Sequence, residues 1–242
     1  MKKQSPPEDA IRMLEVEAVP ESGTESSTEG PSCCQSACKG YFHKFAGAGG
    51  EPGPRPKLSE TGFSFLGAFV GMSTLGLLDT YVLGPVCHMK VEVAAFGAMS
   101  VLIFSTCKAP LAQPVNAVLG NTIGGAVGVG VVSGMHMLGM EHLLWTTAAL
   151  SVALTIALQE RTNTLHPPGG ATALLYAITP PMQKFGAEFV FAPAFLGAVI
   201  MVAMGTVMNN FSPERTYPQR WLFDDSSKPS KSESKSEEKP VP

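Results

Sequence analysis

Between residues 62 and 211 only nine side chains carry charge: Asp79, Lys90, Glu92, Lys108, Glu141, Glu160, Arg161, Lys184 and Glu188. No other property of the chain restricts its fold so strongly. Soluble domains carry about 25% charged residues, whereas this chain has 15% overall, with mean hydropathy +0.15, and its other charges lie in the two flanks. Apolar stretches at 62–83, 93–107, 114–138, 143–158 and 189–208 approach or reach the roughly 20 residues that cross a bilayer as a helix. A further apolar piece, 167–178, is short: twelve residues give about 18 Å against a hydrocarbon core of about 30 Å. The expectation is an all-α polytopic membrane bundle with about four to six membrane segments, two of them broken or short. The lipid bilayer is the implied partner, and a soluble protein with a large core is the reading this pattern displaces.

The flanks read differently. Residues 1–40 are rich in Glu, Ser, Pro and Gly and bury too little apolar area to order themselves. They lack the basic start and apolar core of a secretory signal, and their acidic residues do not suit a transit peptide. Residues 223–242 mix Lys, Ser and Glu as a solvated low-complexity segment. The expected organisation is a disordered tail over 1–40, a membrane domain over 41–222 and a second disordered tail. Net charge is −3. With no basic face, nucleic acid is not an expected partner.

The five cysteines form no C-x-x-C pair, and no histidine stands at a zinc-ligand spacing from them. No metal or cofactor is expected. Cys33, Cys34 and Cys38 precede an amphipathic stretch at Tyr41–Phe45 and are either sites of reversible palmitoylation or ordinary reduced thiols.

Glycines recur four apart at Gly67 and Gly71, at Gly120, Gly124 and Gly128, and at Gly130 and Gly134. Small residues let helices approach closely in lipid, where the hydrophobic effect does not drive their association. A tight bundle is expected, and a homo-oligomer is compatible with the same feature. Basic residues favour the cytoplasmic side of loops. Placing both flanks, Lys108 and Arg161 on that side leaves only Lys90 and Lys184 opposite, which requires an even number of crossings and makes the 167–178 piece one of them. If that piece instead dips in and returns, the flanks lie on opposite sides.

Two proline motifs interrupt the apolar sequence: Lys108-Ala109-Pro110-Leu111-Ala112-Gln113-Pro114-Val115-Asn116-Ala117 and Thr162-Asn163-Thr164-Leu165-His166-Pro167-Pro168-Gly169-Gly170-Ala171-Thr172. A residue before proline is pushed toward extended geometry, and proline is favoured in the first helical turn. Helices should therefore begin at Pro114 and Pro167. Their first amides lack partners, and the positive end of a helix favours anions. Non-helical backbone at membrane depth is tolerated only where it is buried or lines a watery cavity, and a pair of such breaks points to a transport site. The candidate substrate-binding residues are Gln113, Pro114, Asn116, Thr164, His166, Pro167, Pro168, Gly169 and Gly170. Gln113, Asn116, Thr164 and His166 supply side-chain polarity, and Gly169 and Gly170 expose amides. A bound anion would favour the imidazolium form of His166, coupling proton and anion. Tight surface loops, with proline merely ending helices, are the alternative.

The string His166-Pro167-Pro168-Gly169-Gly170-Ala171-Thr172-Ala173 resembles the signature of the HPP family of integral membrane proteins. Phe65-Leu66-Gly67-Ala68-Phe69 is similar to that family's first span. Ser100–Phe104 followed by Pro110–Pro114 resembles its second block, and Asn209-Asn210, Tyr217-Pro218 and Trp221 resemble its closing block. The chain departs from the pattern at Ala109 and Asn121, where serine and histidine are expected. The resemblance implies four membrane-spanning helices and transport, with nitrite as the substrate associated with some plant and cyanobacterial members, at the chloroplast envelope in plants. The expected function is transport of a small inorganic anion, nitrite being the named candidate, in the plasma membrane or a chloroplast envelope. A passive channel for small neutral solutes and a scaffold or sensor without flux are the rivals. No Ser/His/Asp, metal or nucleotide constellation is visible, so an enzyme is not expected.

Overall fold

The computed structural model describes residues 45, 55–87 and 94–221. The two expected tails, Cys33, Cys34, Cys38, His43, His88 and Lys90 lie outside the described residues. Residues 55–221 belong to one compact unit, and its ordered elements are helical.

Helix α1 runs Leu58–Leu83, its last turn, Asp79–Leu83, widening to a π-helix. A single turn, α2, follows at Gly84–Cys87. Helix α3 is Ala95–Ser105, and a 3-10 turn occupies Pro110–Ala112. The long α4, Pro114–Met137, leads into α5, Leu144–Arg161. Then come α6, Pro167–Ile178, a turn α7 at Pro180–Gln183, and α8, Val190–Asn210. These bounds fall within a few residues of the expected apolar stretches.

Among the described residues three helices, α1, α4 and α8, are long and apolar enough to cross a bilayer. Helix α5 has the length but inverts the soluble pattern. Its buried residues are Thr147, Ser151, Thr155 and Gln159, spaced four apart, while Leu150, Leu154, Ile156 and Leu158 face outward. Each buried hydroxyl donates to the carbonyl four residues back, at 2.7–3.0 Å, so the polar face satisfies itself without water.

Among the described residues six helices of ten residues or more, α1, α3, α4, α5, α6 and α8, build the bundle, α3 and α6 being the short ones. The chain's described ends meet on one side: Lys57 pairs with Glu214 at 3.0 Å, and Arg215 donates to the Glu60 carbonyl at 2.6 Å and to the Phe104 carbonyl at 2.7 Å. The opposite side holds the α4–α5 turn, where His136 and Glu141 share a cleft with Pro180 and Gln183. The described ends thus lie on one side of the bundle, as the even-crossing reading requires. The short helix α6 begins well inside the bundle, against Gly120, and Pro180–Gln183 follows it toward the α4–α5 turn.

Close helix contact rests on glycine, selectively. The Phe104 ring lies against Gly67 and Gly71, where an added Cβ would stand 2.5 and 2.9 Å from it. A Cβ on Gly120 would lie 2.5 Å from the Thr164 carbonyl oxygen, and one on Gly124 would run into the Gly169 carbonyl. Gly128 faces Ala173 and Tyr176. Contacts that advance together along α4 and α6 mean that the two helices run parallel, with α5 antiparallel to both. Gly130 and Gly134, in contrast, have nothing within 4 Å of an added Cβ. The four-residue spacing is the same, but these two face away from neighbouring helices, so the packing role expected for them is not seen. Gly130→Ala should therefore be neutral or stabilising by up to about 1 kcal/mol, the helix-propensity gain, read from thermal unfolding in detergent.

Candidate functional site

Both proline motifs start helices as expected. Gln113 is extended (φ −70°, ψ 152°) before α4, and His166 is extended (φ −151°, ψ 100°) before α6. The α6 start lies against α4 at Gly120, about 9 Å along that helix from its own start. Asn116, in the first turn of α4, donates through Nδ2 to the Leu165 carbonyl at 3.1 Å, which fixes the loop one residue before His166. Because α4 and α6 run parallel, their positive ends face the same side of the bundle.

His166 is fully buried and held at three points. Its backbone N–H donates to Gln159 Oε1 at 3.1 Å, its carbonyl accepts from the Gly169 N–H at 2.9 Å, and ring Nδ1 is 2.9 Å from the Leu111 carbonyl. A carbonyl only accepts, so Nδ1 carries the hydrogen. In the neutral ring Nε2 is then a lone-pair acceptor, and it has no partner among the described residues. Asn116 is 4% exposed. Its Nδ2 is committed to Leu165, which orients the amide, and its Oδ1 is likewise buried and unpartnered. Native interiors rarely leave such atoms unpaired. These two acceptors, on adjoining helix starts, define the candidate site.

The other expected residues have different duties. Gln113 is buried, but its amide is fully engaged: Nε2 donates to the Cys107 and Ala109 carbonyls at 3.0 and 2.9 Å, and Oε1 accepts from the Gln219 N–H at 2.8 Å. It pins the segment after α8 to the loop before α4. Thr164 is buried and shares a 2.8 Å hydrogen bond with the Thr162 hydroxyl. Pro114 and Pro168 are buried at their helix starts, while Pro167 is exposed. The Gly169 amide, expected to be free for a ligand, is spent on the His166 carbonyl. Its missing side chain serves packing, since a Cβ there would meet the Gly120 carbonyl and Gln159 Nε2. Gly170 is partly buried, 4.0 Å from Val152 when given a Cβ.

Gln159 was not among the expected site residues, yet it organises the site. Nε2 donates to the Gly120 carbonyl at 2.8 Å while Oε1 receives His166, so one amide joins α4, α5 and the start of α6. Asn121 does the same one turn deeper: Thr172 donates to its Oδ1 at 2.6 Å, and its Nδ2 donates to the Ala194 carbonyl at 2.7 Å. That carbonyl belongs to a third break, near the start of α8, where Ala192 is non-helical (φ −137°, ψ 106°) before Pro193. Proline lacks the donor and clashes with the preceding turn. In the sequence this break lies within a continuous apolar run. Among the described residues no cluster of His, Cys, Asp and Glu could hold a metal.

The closing block is a clamp. Asn210 accepts from the Tyr217 N–H at 3.0 Å and donates to its carbonyl at 2.6 Å, and the Tyr217 hydroxyl donates to the Ala112 carbonyl at 2.8 Å. Burial raises the Tyr217 phenol well above its ordinary range, so it stays a donor. Arg215 adds bonds to Asn209 and Ser64.

Residues 53–218 match the family model described as "HPP, transmembrane region". The chain belongs to this family of integral membrane proteins. It is 37% identical over 182 residues to a transmembrane protein of Dictyostelium discoideum, covering 75% of this chain and 63% of that one. A second transmembrane protein of the same organism is 35% identical over 190 residues, covering 75% of this chain and 57% of the other. The chain thus spans about 60% of the length of these curated relatives. No solved structure matches.

Proposed function

We propose that the protein transports a small inorganic anion, with nitrite as the specific candidate, through the site between the starts of α4 and α6. The observation that carries this reading is the pair of buried, unpartnered polar atoms, His166 Nε2 and Asn116 Oδ1, beside the starts of two parallel helices. Broken helices around buried polar groups are how transporters form binding sites in a bilayer. The resemblance to nitrite-associated members supplies the substrate candidate. The reading is of a carrier.

Nitrite uptake into proteoliposomes containing the full chain tests this. Wild-type vesicles should exceed protein-free vesicles, and His166→Ala and Asn116→Leu should each lose about tenfold or more of that excess, the equivalent of ~1.4 kcal/mol of barrier. Equal uptake by wild type and both variants, or no uptake by any, would remove the proposal. Flux indifferent to the two substitutions but open to small neutral solutes would point to a passive channel.

A further inference from the structure

We infer that the site takes its anion only together with one proton, held between His166 Nε2 and the anion, so that transport moves no net charge. This inference rests on the anion reading above and concerns the state of that same site.

A site for a bare anion needs donors or a cation. The two unpartnered atoms here are both acceptors: Asn116 Oδ1, because Nδ2 is committed to the Leu165 carbonyl, and His166 Nε2, because Nδ1 is committed to the Leu111 carbonyl. A bare anion would face two lone pairs in a medium of low dielectric, where an unpaired charge is costly. The groups around His166 offer no fixed charge to offset this. Gln159 from α5, Asn116 and Gly120 from α4, and Leu111 from the 3-10 turn are uncharged, as is Thr164 in its own loop. The titratable groups on neighbouring stretches are Cys107 and Lys108, Glu160 and Arg161, and Tyr217, whose hydroxyl is engaged by Ala112. Lys108, Glu160 and Arg161 are exposed, and none of them bonds to the ring.

One proton resolves the conflict. On Nε2 it converts an acceptor into a charged donor aimed at the anion. On the anion's oxygen it forms the conjugate acid, whose O–H donates to Nε2. The two forms differ only in where the shared proton rests, and the proton and anion arrive and leave in equal number. The remaining lone pair, on Asn116 Oδ1, favours either proton-carrying form over the bare anion. The Nδ1–H to Leu111 bond is kept throughout, so the ring need not turn over.

Two measurements on the full-length protein test this. In proteoliposomes with the potential clamped, nitrite uptake above that of protein-free vesicles should rise about tenfold per unit fall in outside pH, the slope of one bound proton. It should acidify the lumen by one proton per nitrite and ignore the potential. His166→Gln, which keeps a neutral side chain of similar reach, should lose the pH slope. Nitrite uptake that follows the potential without acidification would overturn the inference while leaving anion transport standing. No uptake above protein-free vesicles would overturn both. Independently, nitrogen NMR of histidine-labelled protein should show the His166 Nε2 signal, assigned by its loss in His166→Gln, moving from the unprotonated toward the protonated position as nitrite is added. A signal that stays at the position of an Nε2 with neither a proton nor a hydrogen bond at saturating nitrite would also overturn the inference.

Discussion

Gly124→Leu should prevent the bundle from closing. Even a single Cβ at this position would enter the Gly169 carbonyl, and that obstacle is backbone, not a side chain that can rotate away. Overpacking a well-packed interior costs about 1–3 kcal/mol where neighbours can yield. Here they cannot yield without separating α4 from α6. Gly124→Ala should already lower stability by about 3 kcal/mol, the top of that range, and leucine should abolish the monodisperse peak in detergent size-exclusion chromatography. Gly130→Ala on the same helix is the control for propensity alone. If Gly124→Leu yields as much monodisperse protein as wild type, the parallel α4–α6 seam is wrong.

The second large effect is expected at Gln159. Gln159→Leu keeps the bulk but leaves the His166 N–H without its partner and removes the second bond to the Gly120 carbonyl, which keeps its place in the α4 ladder. A buried orphan costs about 1–3 kcal/mol. Hydrogen bonds between membrane helices average only about 0.6 kcal/mol, because the unfolded chain in lipid also finds partners. The loss should nevertheless stay above about 1 kcal/mol, because the His166 N–H lies just before a helix start, beyond the reach of the helix's own carbonyls. Unfolding in denaturing detergent measures it, and a loss below about 0.6 kcal/mol, the membrane average, would show that the amide bridge is not essential to the site.

The helix starts were legible because proline marks them. Pro114 and Pro167 fix φ and lack a donor, and the preceding residues, Gln113 and His166, are extended as that chemistry requires. Membrane character was legible from nine scattered charges. What each polar group does there was less legible. Gln113 and Asn116 are both amides at the start of one helix. The first is consumed in tying down the C-terminal segment, while the second keeps a free oxygen, and only the path of residues 213–221 decides between them. Gln159, next to Glu160 and Arg161, reads as a hydrophilic helix end, and nothing local shows that it turns inward. Arg215 reads as a positive-side anchor but clamps three segments together. Spacing alone likewise failed to separate Gly120, Gly124 and Gly128 from Gly130 and Gly134. A four-residue interval defines a stripe, and which helix that stripe meets is a tertiary matter.

The placement of α6 makes the two routes to His166 unequal. The histidine lies level with Gly120, about 9 Å along α4 from its start, with about 26 Å of that helix beyond it. Toward the side of the chain's described ends, the obstacle is one 3-10 turn and the loop that Asn116 holds. Toward the other side lies the glycine seam itself, where backbone meets backbone and little can part without unmaking the fold. The histidine is thus screened on one side by a short turn and a loop, and on the other by about 26 Å of closely packed helix.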